Sequence, residues 1–557
     1  MATWPEKLPL PQIQGYGIEP MDQVLRQSFE AGPGRARRRF FSPYERFPVT
    51  WIMTHAQMTI FRAWFYSSDG ANGGAAWFVT SLDKGFGLEP LEARFAGPWK
   101  AVPAGPVRWS VTASLEVRST PMTAWEYMQA LEQTSLDLDF IAGVYSYWDG
   151  SFTQAPANPF GSLITYTRNS VATYHGPDGL LKTAVANEPR IDHDPVTLEC
   201  RGLLIEAPRH NLLTNSGLFS SGAWIKNRCS IVDNAATSPD GTNNAAKLVE
   251  DTTVTNSHVL NRTPYITSAA NTIHTASCYF KAGERSIASL SLSVSAYTSS
   301  VQLRVNLATK SVVWGSPSTI GTVSDIAWTI QDVGNGWVRV SLTAKLDAVG
   351  TNYNINVGVC DAAGNINYTG DGVSGAYIWG AQLEVGAKAS SYIPTTSAAV
   401  TREQDRAYIT GEAVMRWARP DSGALFAHYT PPAGAISAYV AALLGSNSQN
   451  AIRLRYSSGG GLDAAVVASN VVQATNTLSL VLSQNRNYKA ATTYAANDFA
   501  ACLDGGNVVT DPEGTVPSII QLLIGGFATT EALGGHIRRI QFFPFRMSNA
   551  RLQELTA

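Results

Sequence analysis

Ala288-Ser289-Leu290-Ser291-Leu292-Ser293-Val294 and, after a short break, Val301-Gln302-Leu303-Arg304-Val305-Asn306-Leu307 decide the fold of this 557-residue chain. In both stretches apolar and polar side chains alternate strictly, which gives each extended strand one apolar face. Val338, Val340, Leu342, Ala344 and Leu346 repeat the pattern, as do Tyr353, Ile355, Val357 and Val359. Turns rich in Gly, Asn, Ser and Asp separate them. An antiparallel sandwich follows, because two facing sheets bury every apolar face. This domain is placed at about 205–397, with a linker over 398–410.

The same habit continues over 411–557, where Ile452, Leu454 and Tyr456 alternate with Arg453 and Arg455. Leu503-Asp504-Gly505-Gly506 supplies a hairpin turn, since Asp-Gly pairs tolerate positive φ. Residues 1–118 read differently, as a compact α+β domain. Thr54 with Gln57 forms a capping-box pattern before Met58, Phe61, Trp64 and Phe65 at helical spacing. Val107, Trp109, Val111, Ala113, Leu115 and Val117 then mark a long strand with one buried face. Over 119–150 a short helical connector is expected, with Thr123 and Glu126 as its capping box and Trp125, Met128 and Leu131 on one face. The Pro- and Asn-rich stretch 151–204 reads as an irregular collar that packs beside the sandwiches and completes one of them. The expected fold class is therefore mainly β: an N-terminal α+β anchoring domain followed by two antiparallel β-sandwiches.

Charged residues make up 15% of the chain, against roughly 25% for an ordinary soluble domain. Ser, Thr, Asn, Ala and Gly replace them, which gives a polar but weakly charged surface. A net charge of −2 provides no global pull on nucleic acid or anionic membrane. The five cysteines (200, 229, 278, 360 and 502) lack zinc or redox spacing and read as free, mostly buried thiols. No run of about 18 apolar residues occurs, so no membrane insertion is expected. Met-Ala-Thr-Trp-Pro-Glu-Lys-Leu-Pro lacks the apolar core of a signal peptide, and the expectation is assembly in a cytoplasm followed by release through lysis.

Catalytic patterns are sparse. There is no Gly-x-Ser-x-Gly elbow and no His-Glu-x-x-His helix. Asp192-His193-Asp194 offers metal-type ligands but precedes Pro195 in a turn-rich stretch, which favours a structural turn. Asp137 with Asp139, and Glu403 with Asp405, are i,i+2 carboxylate pairs of a kind glycosidases use. Both lie in connectors and read as solvated charge. Asp347, Asp361 and Asp371 are loop carboxylates suited to calcium, although nothing requires it. No metal, cofactor or catalytic residue is assigned, and the chain is not read as an enzyme.

Two clusters read as contact surfaces. Arg35, Arg37, Arg38 and Arg39 run into Phe40, Phe41, Tyr44 and Phe47, and Arg beside aromatics favours a protein interface over nucleic acid. Elsewhere, flat rings suit the apolar C–H faces of sugars. The candidates are Trp314, Trp328, Tyr297, Tyr353 and Tyr368, with Trp314 preferred because Gly315 and Ser316 place it at a loop edge. Trp337 and Trp379 lie in regular strands and read as core.

Several longer motifs carry a resemblance. They include Tyr166-Thr-Arg-Asn-Ser-Val-Ala-Thr-Tyr174, Asn187-Glu-Pro-Arg-Ile-Asp-His-Asp-Pro195 and Gly202-Leu-Leu-Ile-Glu-Ala-Pro-Arg-His-Asn211. Cys278-Tyr-Phe-Lys-Ala-Gly-Glu-Arg285, Gly336-Trp-Val-Arg-Val-Ser-Leu342, Tyr377-Ile-Trp-Gly-Ala-Gln-Leu-Glu384 and Ser391-Tyr-Ile-Pro-Thr-Thr396 follow. Together they resemble the carbohydrate-binding-module-type jelly roll of tailed-bacteriophage tail fibre and tail-tip proteins. Tyr494-Ala-Ala-Asn-Asp-Phe499, Gly535-His-Ile-Arg-Arg-Ile540 and Met547-Ser-Asn-Ala550 resemble a concanavalin/laminin-G-like sandwich. Trp4-Pro5, Gly32-Pro33-Gly34 and Arg37-Arg38-Arg39 are similar to a tail-docking domain. The resemblance implies a virion protein docked to tail-tip or baseplate proteins, with Arg35, Arg37, Arg38, Arg39 and Phe41 at the docking interface. It implies a homotrimer that binds bacterial surface polysaccharide. A purely architectural protein and a glycan-degrading tail enzyme are the alternatives.

Overall fold

A computed structural model describes residues 2–12, 15–20, 24–27, 35–38, 44–83, 88–118, 129, 132–148, 158–269, 271–294, 298–346, 352–431, 437–446, 449–457, 461–479, 482, 486–526 and 532–557. The chain divides into two compact units, Met1–Tyr127 and Met128–Ala557.

In the first unit, Tyr44–Thr54 pairs along its whole length with Arg108–Arg118. Lys100–Pro103 and Leu88–Phe95 also pair with Arg108–Arg118, and Phe78–Asp83 extends the sheet beyond Leu88–Phe95. Phe47, Val49, Trp51 and Met53 occupy alternate positions and are all buried, as a period of two requires. Helix His55–Tyr66 begins with the expected capping box: Gln57 N donates to Thr54 Oγ1 and Thr54 N to Gln57 Oε1. The helix sets Phe61 and Phe65 against the sheet core, while Trp4 stacks on Trp51 at 4.9 Å. Val107 ends just before the long strand and is exposed.

The second unit contains two antiparallel sandwiches, one threaded through the other. The inserted sandwich pairs a nine-stranded sheet with a six-stranded one. The nine-stranded sheet runs Trp224–Asn227, Asn256–Arg262, Asn352–Cys360, Ile287–Val294, Ser300–Asn306, Ser311–Val312, with Ser318–Ile320 also paired to Ser300–Asn306. The facing sheet runs Cys229–Ala236, Ala245–Glu250, Gly375–Val385, Ile273–Ala282, Trp337–Leu346, Val323–Asp332. Leu290, Leu292, Leu303, Val305, Val357, Val340 and Leu342 meet in one core between the sheets.

The C-terminal sandwich is discontinuous in sequence. One sheet runs Val144–Tyr147, Leu136–Asp139, Gly535–Phe543, Ser422–Thr430, Tyr488–Ala495, Asp498–Leu503, Val509–Asp511. Cys200–Ile205 continues along the same Gly535–Phe543 strand. The opposing sheet starts with Thr165–Thr167 on Arg406–Thr410. Segments before the inserted sandwich therefore complete the sandwich after it. The helical connector expected over 119–150 is corrected at its described end: 136–147 is a β-hairpin whose Leu136 and Leu138 lie in the C-terminal core. The chain leaves through Arg209–Asn211 and returns through Val400–Arg402, and these two short strands pair antiparallel as a two-stranded stalk.

A buried charge cluster sits where the stalk meets the sandwiches. Asp405 accepts from Tyr166 Oη (2.5 Å), Arg168 Nη1 (3.1 Å) and the Glu206 amide (2.8 Å), and is ion-paired to Arg190. Glu206 accepts from Arg402 Nη1 (2.8 Å) and Ser391 Oγ (2.7 Å), and lies 2.9 Å from Arg190 Nη2. Burial pushes the Glu206 carboxyl up, yet Arg402 and Arg190 hold it well below the ordinary carboxylate range. The motifs over 166–206 thus act as a structural lock rather than as a site.

Candidate functional site

The polar side chains excluded from the inserted core gather on the far face of its nine-stranded sheet. Asn261 pairs with Asn356, Asn356 with Ser291, Ser291 with Gln302, and Gln302 with Ser318. These five residues form one row across five adjacent strands, about 19 Å long at the usual strand spacing. Asn354, Ser293 and Ser300 form a parallel row on one side, and Gly358, Ser289 and Arg304 another. All sit opposite in parity to core residues such as Leu290, Leu292 and Leu303.

Solvent faces of sheets ordinarily carry several long charged side chains, whereas the middle of this one carries mainly amides, hydroxyls and a glycine, with Arg304 as its one charged residue among the described positions. Its centre is recessed: Ser291 is 6% exposed and Asn356 8%. Ser318 and Ile320 at one end, and Ile225 at the other, are exposed. Gly358 is required at the bottom, since a Cβ there would lie 2.6 Å from Val259 Cγ1. Asn356 Nδ2 reaches Ser293 Oγ at 3.4 Å, and Asn356 Oδ1 is a buried acceptor with no donor among the described residues. An unmet buried acceptor costs stability unless a ligand or water supplies a donor.

Trp314 stands beside this face. Ser316 N donates to Val313 O at 3.1 Å, closing a β-turn with Gly315 at φ +74° in its third position. The turn is fastened to the sheet edge by Arg304. Its backbone N donates to Ser316 Oγ (2.8 Å), its Nη2 to Gly315 O (3.1 Å) and its Nη1 to Gly364 O (2.9 Å). The Trp314 ring is 96% exposed on this rigid mount. The neighbouring Asp361 carboxylate accepts from the Asn365 amides and Ala363 N. Partial burial works against its charge, but those donors hold it below the usual value.

The other expected ring contacts fare differently. Trp328 is partly exposed, on Val323–Asp332 at the edge of the facing sheet. Tyr353 is corrected to core: it is fully buried with its ring 4.0 Å from His274, because its odd number gives it the inward parity of Ile355 and Val357. Tyr368 is also corrected, being buried with its hydroxyl donating to Glu250 at 2.5 Å. Tyr297 lies outside the described residues, as do Arg39 and Phe41. Arg35, Arg37 and Arg38 fall on strand Arg35–Arg38, which pairs with Val24–Gln27. Asn261, Asn356, Ser291 and Gln302 were not among the expected site residues. Their signal was present in the small polar partners of the alternating strands, but which strands adjoin cannot be read from alternation.

The carboxylate pairs are engaged in structure. Asp137 takes Arg539 Nε at 2.8 Å and Nη2 at 2.5 Å, and Asp139 caps the amides of Ile141 and Ala142. Asp405 belongs to the buried cluster, so its reading as solvated charge is corrected. Asp192 accepts from His536 Nε2 at 2.8 Å and the His175 amide at 2.7 Å, while Asp194 caps the turn at Val196 and Thr197. Among the described residues no cluster of three or more His, Cys, Asp or Glu is arranged to hold a metal ion.

No family model and no curated protein matches this chain. Among solved structures, it is similar to the CBM40 of Ruminococcus gnavus IT-sialidase bound to α2,3-sialyllactose, at 18% identity over 25% of this chain and 83% of that one, with a TM-score of 0.22. Mouse laminin α1 domains LG4-5 align at 11% identity over 52% and 86%, with a TM-score of 0.19. Trypanosoma rangeli sialidase in complex with the inhibitor DANA aligns at 9% over 97% and 93%, with a TM-score of 0.24. At these scores the likeness defines neither a family nor an activity.

Proposed function

We propose that this chain is a glycan-binding adhesin and that the recessed polar face of the inserted sandwich, with Trp314 beside it, is the binding surface. The observation that carries this reading is the row Asn261–Asn356–Ser291–Gln302–Ser318. Sugar hydroxyls both donate and accept, and so do these amides and hydroxyls. A flat ring at the rim supplies the apolar contact that sugars also need. The finer setting rests on sequence resemblance. The protein is a tail fibre or tail-tip component of a tailed bacteriophage, the first unit docks it to the tail, and it binds bacterial surface polysaccharide. Homotrimeric assembly multiplies weak sites into useful avidity.

Binding of the labelled full chain to susceptible host cells tests the reading. Wild type is expected to bind, and Trp314→Ala with Gln302→Ala to lose at least about tenfold in apparent affinity, as removal of an interface anchor typically does. A chain lacking residues 1–127 is expected to keep cell binding but not to join virions. Equal binding by wild type and the double variant excludes this face. No binding by either favours the architectural alternative.

A further inference from the structure

Building on the glycan-binding reading, we infer that this face takes a neutral glycan chain several sugar units long, laid across the strands, rather than an acidic sugar or a single ring. The length comes from the row itself, which crosses five strands and spans about 19 Å at normal strand spacing. That is the length of an oligosaccharide segment. Its ends are open among the described residues: Ser318 and Ile320 are exposed on one side and Ile225 on the other, so no described side chain walls off a chain terminus.

The charge class follows from what the face lacks. Carboxylate and sulfate groups only accept hydrogen bonds, and proteins meet them with Arg or Lys forks. Among the described residues, Arg304 is the one charged side chain at the outward positions of these strands. Its two terminal nitrogens donate to the carbonyls of Gly315 and Gly364, where they hold the Trp314 turn in place. Lys310, in the adjoining turn, is ion-paired with Asp332. The recessed acceptor Asn356 Oδ1 calls for a donor, which a sugar hydroxyl supplies and an ionised acid group itself does not.

The full chain is probed on an array of neutral and acidic glycans of graded length. In parallel it is tested against dextran, mannan and galactan, and against alginate, hyaluronate and polygalacturonate, at low and high salt. The expected result is binding to neutral chains that strengthens with length and changes by less than about threefold with salt, since screening acts on charge pairs. Asn356→Ala and Gln302→Ala are each expected to weaken that binding several-fold, and Gln302→Ala to do so without moving the thermal midpoint. Gln302 is partly exposed, so its variant guards against a folding artefact. Binding confined to acidic chains and lost at high salt overturns the inference while leaving the adhesin reading in place. Equal affinity for a monosaccharide and its longer chain overturns the inference as well. Failure of both the array and host-cell binding overturns the adhesin reading itself.

Discussion

Arg190 and Asp405, 215 residues apart in sequence, are ion-paired with both side chains fully buried. They join the segment before the inserted sandwich to the connection between strands Val400–Arg402 and Arg406–Thr410 that follows it. Arg168 and Arg402 converge on the same carboxylate. Removing one partner from such a buried cluster leaves uncompensated charge, which costs far more than breaking a surface pair.

Asp405→Asn is therefore expected to destabilise the second unit by about 3–5 kcal/mol. Asp421→Asn, which breaks the more exposed pair with Arg419, is expected to cost less than about 1 kcal/mol. Urea denaturation of the two variants side by side checks this. Similar midpoints would show that the buried cluster does not hold the unit together.

A shortened chain starting at residue 151 is expected to aggregate or melt well below one starting at residue 128. It lacks the buried side chains Leu136, Leu138, Phe140, Tyr145 and Trp148. Each large apolar side chain contributes about 1.5–3 kcal/mol by burial, and together they rival the marginal stability of a whole domain. Differential scanning calorimetry of both lengths decides it; equal transitions would place the hairpin outside the cooperative fold.

Two tryptophans separate binding from stability. Trp314→Ala removes an exposed ring and is expected to leave the thermal midpoint within about 1 °C, because surface changes rarely exceed 0.5 kcal/mol. Trp337→Ala removes a fully buried ring whose Nε1 donates to Thr237 O, and a loss of about 3–5 kcal/mol is expected. Thermal melts read both. A large loss at Trp314 would mean that the ring supports the fold rather than standing free for a ligand.

Stability is expected to rise with pH through the window from about 4 to 6.5. Burial holds the His175, His274 and His428 imidazoles below the ordinary value of 6.5, and pushes His428 down to about 4. In that window the unfolded chain binds more protons than the folded one, so acid favours unfolding. The contribution is complete above the unfolded value and is lost as pH falls towards the folded values. Urea midpoints at about pH 5 and about pH 7.5 test the sign. A higher midpoint at the lower pH would contradict it.

The alternation at 288–294, 301–307 and 338–346 was enough to read strands, their buried faces and a mainly β fold. It was also enough to show that Ser289, Ser291 and Gln302 leave the core. Parity gave Tyr353 an inward position that its ring chemistry alone had obscured. The hairpin at 136–147 was missed because Leu136 and Leu138 are too few to define a period, and their partners Phe542 and Ile540 lie some four hundred residues downstream.

Sequence by itself thus determined the class of fold and which side of each strand meets water, because a strand's period of two is a local property of the backbone. Tertiary structure alone decided that one sandwich is threaded through the other. It also decided that 166–206 is a buried lock, and that small polar residues from separate strands form one continuous row. Those outcomes depend on which strands lie side by side, a choice made by packing across hundreds of residues rather than by neighbours along the chain.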